Sequence, residues 1–205
     1  TTGDVMVIVV FAQRSEEIVP LLENLRENFP QITSLMYCIN EKFNDTLGDQ
    51  DIKCFAGKDH IEERMTSFDG KGELRFKIRP KTFYQTNSLQ AEKLYHQAAE
   101  FAGITKDDIV YDLYTGCGTI ANYVASLSKK VVGIEYVEDA VEDARLNSEF
   151  NNINNTTFFA GDMAKILTEE FIEQNGRPDV IITDPPRAGM AESVINQLLA
   201  TKARK

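Results

Sequence analysis

The sequence predicts an α/β protein with a doubly wound parallel sheet, preceded by a small α+β module. From residue 109 onward, short apolar runs alternate with longer segments of helical periodicity. This alternation is typical of strand–helix units that build a parallel sheet. A glycine turn, residues 116–121 (GCGTIA), separates the first strand of the series from its helix. Residues 1–79 lack this alternation, which indicates a separate module.

The first module begins with a strand, a helix and a second strand. Two runs rich in β-branched and other apolar residues, 5–11 and 33–39, predict the strands. Residues 15–28 between them predict a helix that ends before Pro30. The leucines expected in the buried stripe of this helix are Leu21, Leu22 and Leu25.

A hairpin is predicted to complete this module. Residues 60–65 and 73–78 predict its two strands, and residues 68–72 (FDGKG) carry the Asp-Gly pair that favours tight turns. The polar residues 40–50 before it are expected to form a turn.

The second domain is predicted over residues 80–205. Its first helix spans residues 88–102 and ends at Gly103, a favoured residue after a helix. Leu94, Ala98 and Phe101 are expected on one face of it. The alternating strands and helices that follow are predicted at 109–113, 119–127, 131–135, 138–150, 156–160, 163–174, 179–183 and from about 191.

Ligands of such sheets bind outside the carboxyl ends of the strands. This rule places residues 112–118, Glu135, 161–162 and 184–187 on one shared rim. Glu135 follows the glycine turn at the spacing of an acidic residue that accepts hydrogen bonds from ribose hydroxyls. The rim therefore predicts a ligand that contains adenosine, which leaves both NAD and S-adenosylmethionine open.

Two details favour S-adenosylmethionine over NAD. Asp112 and three further residues precede Gly116, whereas the first glycine of a hydride-transfer fingerprint follows its strand almost directly. Residues 184–187 (DPPR) form a stiff turn at the end of the fourth strand, because two prolines fix φ and remove two donors. A turn of this kind faces the methyl acceptor in enzymes that methylate planar amino groups or nucleobases.

Composition narrows the class of protein. Hydrophobic residues make up 42% of the 205 residues, with no apolar run long enough to span a membrane. Three cysteines without metal-type spacing argue against a disulfide framework or a metal site, and favour the cytoplasm. The net charge of −10 argues against strong nucleic-acid binding by this chain alone.

Five segments in this order resemble the RNA uracil-C5 methyltransferases, which make 5-methyluridine in ribosomal and transfer RNA. They are residues 83–87 (FYQTN), 112–118 (DLYTGCG), 132–135 (VGIE), 144–147 (ARLN) and 184–189 (DPPRAG). The resemblance is closer to the 23S ribosomal RNA enzymes than to the transfer RNA enzymes, and residues 1–79 resemble the family's central domain. It implies a Rossmann-like methyltransferase domain that uses S-adenosylmethionine and releases S-adenosylhomocysteine.

The resemblance also implies a role for individual residues. They are Gln85 reaching the cofactor from outside the sheet, Tyr114 lining its site, Thr119 at the methionine end, Glu135 at the ribose, Asp162 near the adenine and Asp184 between cofactor and target base. Plain structural roles stay open for three of them: packing for Tyr114, and a helix cap for Thr119 and Asp162.

The family's chemistry further implies a cysteine that adds to C6 of uracil and a glutamate base, both beyond Lys205. Cys38, Cys54 and Cys117 match neither position and are expected to be buried or semi-buried. The chain is therefore expected to be truncated at its C-terminus, to bind the cofactor and to be inactive alone.

The expected partner is RNA, and the resemblance implies 23S ribosomal RNA. No membrane partner is expected. A transfer RNA substrate and a non-catalytic nucleotide-binding module are the alternatives. The outer edge of the fourth strand is expected to be covered by another copy of the chain or by residues beyond Lys205. Any self-association of this chain is expected to arise from that edge.

Overall fold

The structure is a computed structural model that describes residues 1–42 and 47–205. It divides into two compact units, one of Thr1–Glu63 with Lys77–Lys81 and one of Arg64–Phe76 with Thr82–Lys205. The predicted domain boundary at residue 80 stays a prediction. The predicted turn over residues 40–50 includes residues 43–46, which lie outside the described residues.

The first unit contains a three-stranded sheet of order β1-β2-β3. Its elements are β1 (Met6–Phe11), α1 (Ile18–Asn28), β2 (Ser34–Ile39) and β3 (Lys53–Gly57). Strands β1 and β2 are parallel, and β2 and β3 are antiparallel. The predicted strands and helix are confirmed, whereas β3 was not predicted. It is a short edge strand with exposed ends, so its residues show little apolar alternation.

The stripe predicted for α1 is wrong at one residue. Leu22 is fully buried and packs with Ile18 and Leu35, and Leu25 is partly buried beside them. Leu21 is 44% exposed. Adjacent helical residues lie about 100° apart, so Leu21 and Leu22 cannot both face the sheet directly.

The predicted hairpin is confirmed. Strands β4 (Ile61–Thr66) and β5 (Glu73–Ile78) pair in a two-stranded sheet. The turn is closed by a hydrogen bond from Ser67 N to Gly72 O at 2.9 Å. Gly70 has a φ of 69°, a left-handed conformation that explains the Asp-Gly pair at this point.

The second unit is built on a parallel sheet of order β8-β7-β6-β9, which confirms the predicted fold class. Its elements are α2 (Ser88–Ala102), β6 (Ile109–Leu113), α3 (Thr119–Ala125), β7 (Lys130–Glu135), α4 (Glu138–Phe150), β8 (Thr156–Ala160), α5 (Met163–Ile166), α6 (Glu169–Asn175), β9 (Val180–Thr183) and α7 (Glu192–Thr201). Helices cover both faces of the sheet. Val110 and Val131 pack on the face that holds α2, α3 and α4, whereas Tyr111 and Val132 pack on the face that holds α5, α6 and α7.

Two details of the helices differ from the prediction. The helix predicted over 163–174 is two short helices, because Thr168 caps α6 by accepting a hydrogen bond from Phe171 N at 3.2 Å. On α2, Leu94 and Phe101 are 58% and 74% exposed. The buried face of α2 consists instead of Ala91, Tyr95 and Ala99.

The outer edge of β9 is covered by the chain's own last residues, a source of cover that was not expected. Arg204 N donates to Asp179 O at 3.0 Å, and Ile181 N donates to Lys205 O at 3.1 Å. The Arg204 guanidinium also binds both carboxylate oxygens of Asp108 at 2.7 Å. None of the helices in the described ranges 1–42 and 47–205 is long and apolar enough to cross a membrane.

Candidate functional site

The glycine loop, residues 114–118, leaves β6 at the rim of the sheet and leads into α3. The amides of Tyr114 and Thr115 both donate to Ile134 O, at 3.0 and 3.2 Å, which ties the loop to the end of β7. Three of its residues have positive φ: Tyr114 at 64°, Gly116 at 54° and Gly118 at 79°. A tyrosine in this conformation is uncommon and marks backbone strain in the loop.

Asp112 holds the loop from within β6. Its Oδ2 accepts hydrogen bonds from Thr115 Oγ1 at 2.6 Å and from Ala121 N at 2.9 Å. The side chain is fully buried. One carboxyl oxygen thus connects the loop to the first turn of α3, which fixes how the loop enters the helix.

Two buried asparagines hold the loop from its other side. Asn122 Nδ2 donates to Gly118 O at 2.7 Å, and Asn147 Nδ2 donates to Cys117 O at 3.2 Å. Ser148 Oγ donates to Asn122 Oδ1 at 2.8 Å and orients that amide. These contacts take up the carbonyls of the two loop residues, so helix α4 acts as the support of the loop.

The packing behind the loop explains Gly118. A Cβ on Gly118 would lie 2.9 Å from Ala144 Cβ and 3.0 Å from Asn122 Nδ2.

The sequence did not predict Asp112, Asn122 and Asn147 as supports of the loop. A polar asparagine in the otherwise apolar α3 was the available signal for Asn122.

Glu135 at the end of β7 is fixed by three backbone amides. Oε2 accepts from Gly116 N at 3.1 Å, and Oε1 accepts from Tyr136 N at 2.8 Å and Val137 N at 3.0 Å. A carboxylate has about four acceptor positions on its two oxygens. The carboxylate is therefore held in place beside the glycine loop and keeps about one acceptor position for a hydroxyl donor.

Gln85 and Asp184, which are 99 positions apart in the sequence, meet at the same rim. Gln85 Nε2 donates to Asp184 Oδ2 at 3.5 Å. The segment 83–87 also contacts the glycine loop, because Cys117 Sγ donates to Phe83 O at 3.4 Å. Asn87 accepts from Gln90 N and caps α2. A predicted site residue from outside the sheet is thus brought to the DPPR turn.

The structure places the other three predicted residues in the glycine loop and at the starts of two helices. Tyr114 is partly buried in the loop, where burial and then the charge of Glu135 raise the pKa of its hydroxyl. Thr119 begins α3 and is bonded to Tyr95. Asp162 follows β8 and caps α5, with Oδ1 accepting from Ala164 N at 3.0 Å. The helix-cap interpretation of Asp162 is observed, and a contact with adenine stays a prediction.

The cysteines differ in burial. Cys38 and Cys117 are buried, as expected, whereas Cys54 is exposed, so the expectation is wrong for Cys54. Cys54 lies on the unpredicted edge strand β3, which explains its exposure. Burial raises the pKa of the Cys117 thiol to about 11. Cys117 is therefore a neutral thiol at pH 7, and not an activated nucleophile.

Comparison with known proteins agrees with this fold. Residues 104–202 match the family described as "Methyltransferase domain". An uncharacterized RNA methyltransferase of Porphyromonas gingivalis is 56% identical over all of this chain and 43% of its own length. One of Bacteroides thetaiotaomicron is 52% identical over all of this chain and 45% of its own length.

A solved structure also matches most of the chain. It is the Pyrococcus abyssi tRNA (uracil-54, C5)-methyltransferase in complex with S-adenosyl-L-homocysteine, with a TM-score of 0.75 and 29% identity. The match covers 97% of this chain and 44% of that chain. The chain thus spans less than half the length of these relatives. The chain is similar in sequence to proteins named as RNA methyltransferases, and its second unit has the Rossmann-like fold of a methyltransferase domain.

Proposed function

We propose that this chain binds S-adenosylmethionine for an enzyme that methylates C5 of a uridine in RNA, with 23S ribosomal RNA as the substrate. The observation that carries the proposal is the placement of Glu135 against the glycine loop, with 3.1 Å between Gly116 N and Glu135 Oε2. A fixed carboxylate beside two glycines, Gly116 and Gly118, which lack Cβ atoms, suits a ribose whose neighbouring groups approach the backbone closely.

The cofactor site that we propose runs along the rim of the second unit. Glu135 accepts a hydrogen bond from the ribose, and Asp162 lies toward the adenine. Tyr114 in the loop lines the cofactor site, and Thr119 lies at the methionine end, where α3 begins. S-adenosylmethionine supplies an electrophilic methyl group on its sulfonium. Gln85 and Asp184, 3.5 Å apart, lie where the methyl acceptor would meet the donor.

Methyl transfer to C5 of uracil needs groups beyond this cofactor site. In the family that the sequence resembles, a cysteine adds to C6 and a base removes the C5 proton, which splits a difficult step into easier ones. Cys117 cannot supply the thiolate, because burial keeps its thiol neutral. We therefore expect this chain to bind the donor without methylating RNA by itself.

Transfer RNA is the second candidate substrate. The solved relative that matches 97% of this chain is a tRNA (uracil-54, C5)-methyltransferase. Its match favours transfer RNA, whereas the motifs of this chain are closer to those of the ribosomal RNA enzymes. The two substrates call for the same chemistry at C5, so the cofactor site does not distinguish them.

Calorimetric titration of this chain tests the cofactor. S-adenosylhomocysteine is expected to bind, and NADH is not. Glu135→Ala should weaken binding by roughly 1.5–3 kcal/mol, because it removes a charge-assisted hydrogen bond to the ribose. Glu149→Gln, an exposed residue at the end of α4, is the control and should bind like the wild type. Binding of NADH in preference to S-adenosylhomocysteine would contradict the proposal.

The methylation target is tested on the full-length Porphyromonas gingivalis relative. Methylation at C5 replaces the C5 hydrogen, so RNA labelled with tritium at C5 of uridine should release tritium to water. Ribosomal and transfer RNA transcripts are offered separately with S-adenosylmethionine. Tritium release from the ribosomal transcript alone supports the proposal, and release from the transfer RNA alone supports the second candidate. Methylation without tritium release would rule out C5.

A further inference from the structure

The carboxyl of Asp112 has two oxygens in very different surroundings. Oδ2 accepts the two hydrogen bonds that join the glycine loop to α3. Oδ1 is buried and has no hydrogen-bond partner among residues 1–42 and 47–205. A buried polar atom without a partner is rare, and its cost is much higher when the group carries a charge.

The charges around Asp112 are all of one sign. Asp184 at the end of β9 and Glu135 at the end of β7 are both close enough to act on it. The other titratable groups that face it are Tyr95 on α2 and Cys117 in the loop. Burial raises the pKa of both, so they are neutral at pH 7. No lysine, arginine or histidine of the described chain forms an ion pair with Asp112.

These surroundings disfavour the ionised carboxylate. Burial raises the pKa of Asp112 to about 7, and the charges of Asp184 and Glu135 act in the same direction. The hydrogen bonds from Thr115 and Ala121 oppose this rise without cancelling it. Both of those bonds end on Oδ2, so a proton on Oδ1 leaves them intact.

We propose that Asp112 is a positioning residue that holds the glycine loop as a neutral carboxylic acid, with its proton on Oδ1 and the loop bonded to Oδ2. The proposal rests on the proposed function, because the loop is taken to bind the methyl donor. Asp112 acts through the loop and does not touch the ligand. Loss of the proton places an unpaired charge beside Asp184 and Glu135, which weakens the support of the loop.

Asp112→Asn tests the proton, because asparagine has the shape of the neutral acid and cannot ionise. Thermal unfolding of both proteins is followed without ligand between pH 4.5 and 8.5. An unfolded aspartate has a pKa of about 3.9. The folded protein therefore keeps a proton that the unfolded chain has lost, and stability falls as pH rises through this window.

The wild type should lose stability relative to Asp112→Asn as pH rises to about 7, and the difference should then stay level. Asp107→Asn, an exposed aspartate just before β6, is the matched control and should follow the wild-type profile. A difference that is constant with pH, or that changes in the opposite direction, would overturn the proposal. If Asp112→Asn does not fold, carbon NMR of wild-type protein labelled at aspartate carboxyls decides: one carboxyl titrating near pH 7 supports it, and none overturns it.

The dissociation constant of S-adenosylhomocysteine tests the positioning role. It is measured for both proteins at pH 6 and pH 8. The wild-type value divided by the Asp112→Asn value should rise several-fold between these two conditions, since ionisation of the ligand affects both proteins equally. A ratio that does not change reduces Asp112 to a structural role and overturns the positioning proposal. If neither protein binds the ligand, the proposed function fails, and the stability series still reports the buried proton.

Discussion

Three individual residues of the glycine loop have a positive φ. Gly116 and Gly118 adopt positive φ without steric cost, whereas Tyr114 adopts a φ of 64° with a full side chain. Glycine would suit the Tyr114 backbone better. A strained residue beside a candidate ligand site is often retained for its side chain. We therefore expect the Tyr114 side chain to contact the proposed ligand.

Two variants of Tyr114 separate strain from function. Tyr114→Gly and Tyr114→Ala both remove the side chain, but only glycine relieves the positive φ. The glycine variant should therefore be about 1–2 kcal/mol more stable than the alanine variant in urea denaturation. Both should bind S-adenosylhomocysteine more weakly than the wild type. Equal stability of the two variants would show that the loop does not hold Tyr114 in this conformation.

Gly118 is constrained by its neighbours as well as by its own φ. Gly118→Ala should cost the left-handed conformation and a clash with Ala144 Cβ at 2.9 Å, together roughly 2–4 kcal/mol. Gly70→Ala is the matched control, since Gly70 has a φ of 69° and no atom within 4 Å of the added Cβ. It should cost only about 1–2 kcal/mol. Chemical denaturation of both variants measures the clash as their difference, and equal losses would contradict close packing against α4.

At the scale of elements, helix α4 is the support on which the loop rests. Asn147→Ala leaves Cys117 O buried without its side-chain donor, which should cost about 1–3 kcal/mol. The loop amides should then exchange faster with solvent, as hydrogen–deuterium exchange measures. Glu149→Gln, on the exposed side of the same helix, should change neither quantity. Unchanged exchange at residues 114–118 in Asn147→Ala would show that the loop is held without α4.

The elements of the second unit were largely predictable because both faces of its sheet are buried. Every strand there contains a short apolar run, and the predicted limits of β6 and β8 agree with the structure. The sequence pattern is helical on both sides of Thr168, so it does not predict the break before α6. The break is marked only by the Thr168 side chain, which caps α6. The exposed face of α2 was misjudged because two alanines and Tyr95, and not the larger Leu94 and Phe101, pack against the core.

The candidate site was predictable only in part. The rule for strand ends located Glu135 and Asp184, since it depends on topology alone. The contacts of Asn122 and Asn147 depend on how closely α4 approaches the loop, which no periodicity in the sequence reports. The orphaned oxygen of Asp112 likewise follows from tertiary packing.

At the scale of the molecule, net charge disfavours RNA binding by this chain alone. Its net charge of −10 opposes binding to the phosphates of RNA. The relatives that it matches are about twice as long. We therefore expect the proposed donor binding to be separable from RNA binding, and each requires its own assay.

The residues that cover the edge of β9 are anchored by an ion pair between two residues far apart in the chain, Arg204 and Asp108. Arg204 binds Asp108, and this contact lowers the pKa of the Asp108 carboxyl to about 2. An unfolded aspartate has a pKa of about 3.9, so the pair stabilises the fold fully above that pH and is lost as pH falls through about 2. Arg204 is 43% exposed, and solvent screening limits the expected contribution to about 1 kcal/mol.

The variant Arg204→Met tests the Arg204–Asp108 ion pair by urea denaturation. The variant should be less stable than the wild type by about 1 kcal/mol at pH 7, and the gap should narrow below pH 4 as Asp108 takes up a proton. Lys165→Gln removes a far more exposed partner, 83% exposed and 3.7 Å from Asp162, and should change stability little. A gap between Arg204→Met and wild type that persists unchanged at pH 2 would mean that the arginine acts through its bond to Gly103 O and its packing, and not through the charge of Asp108.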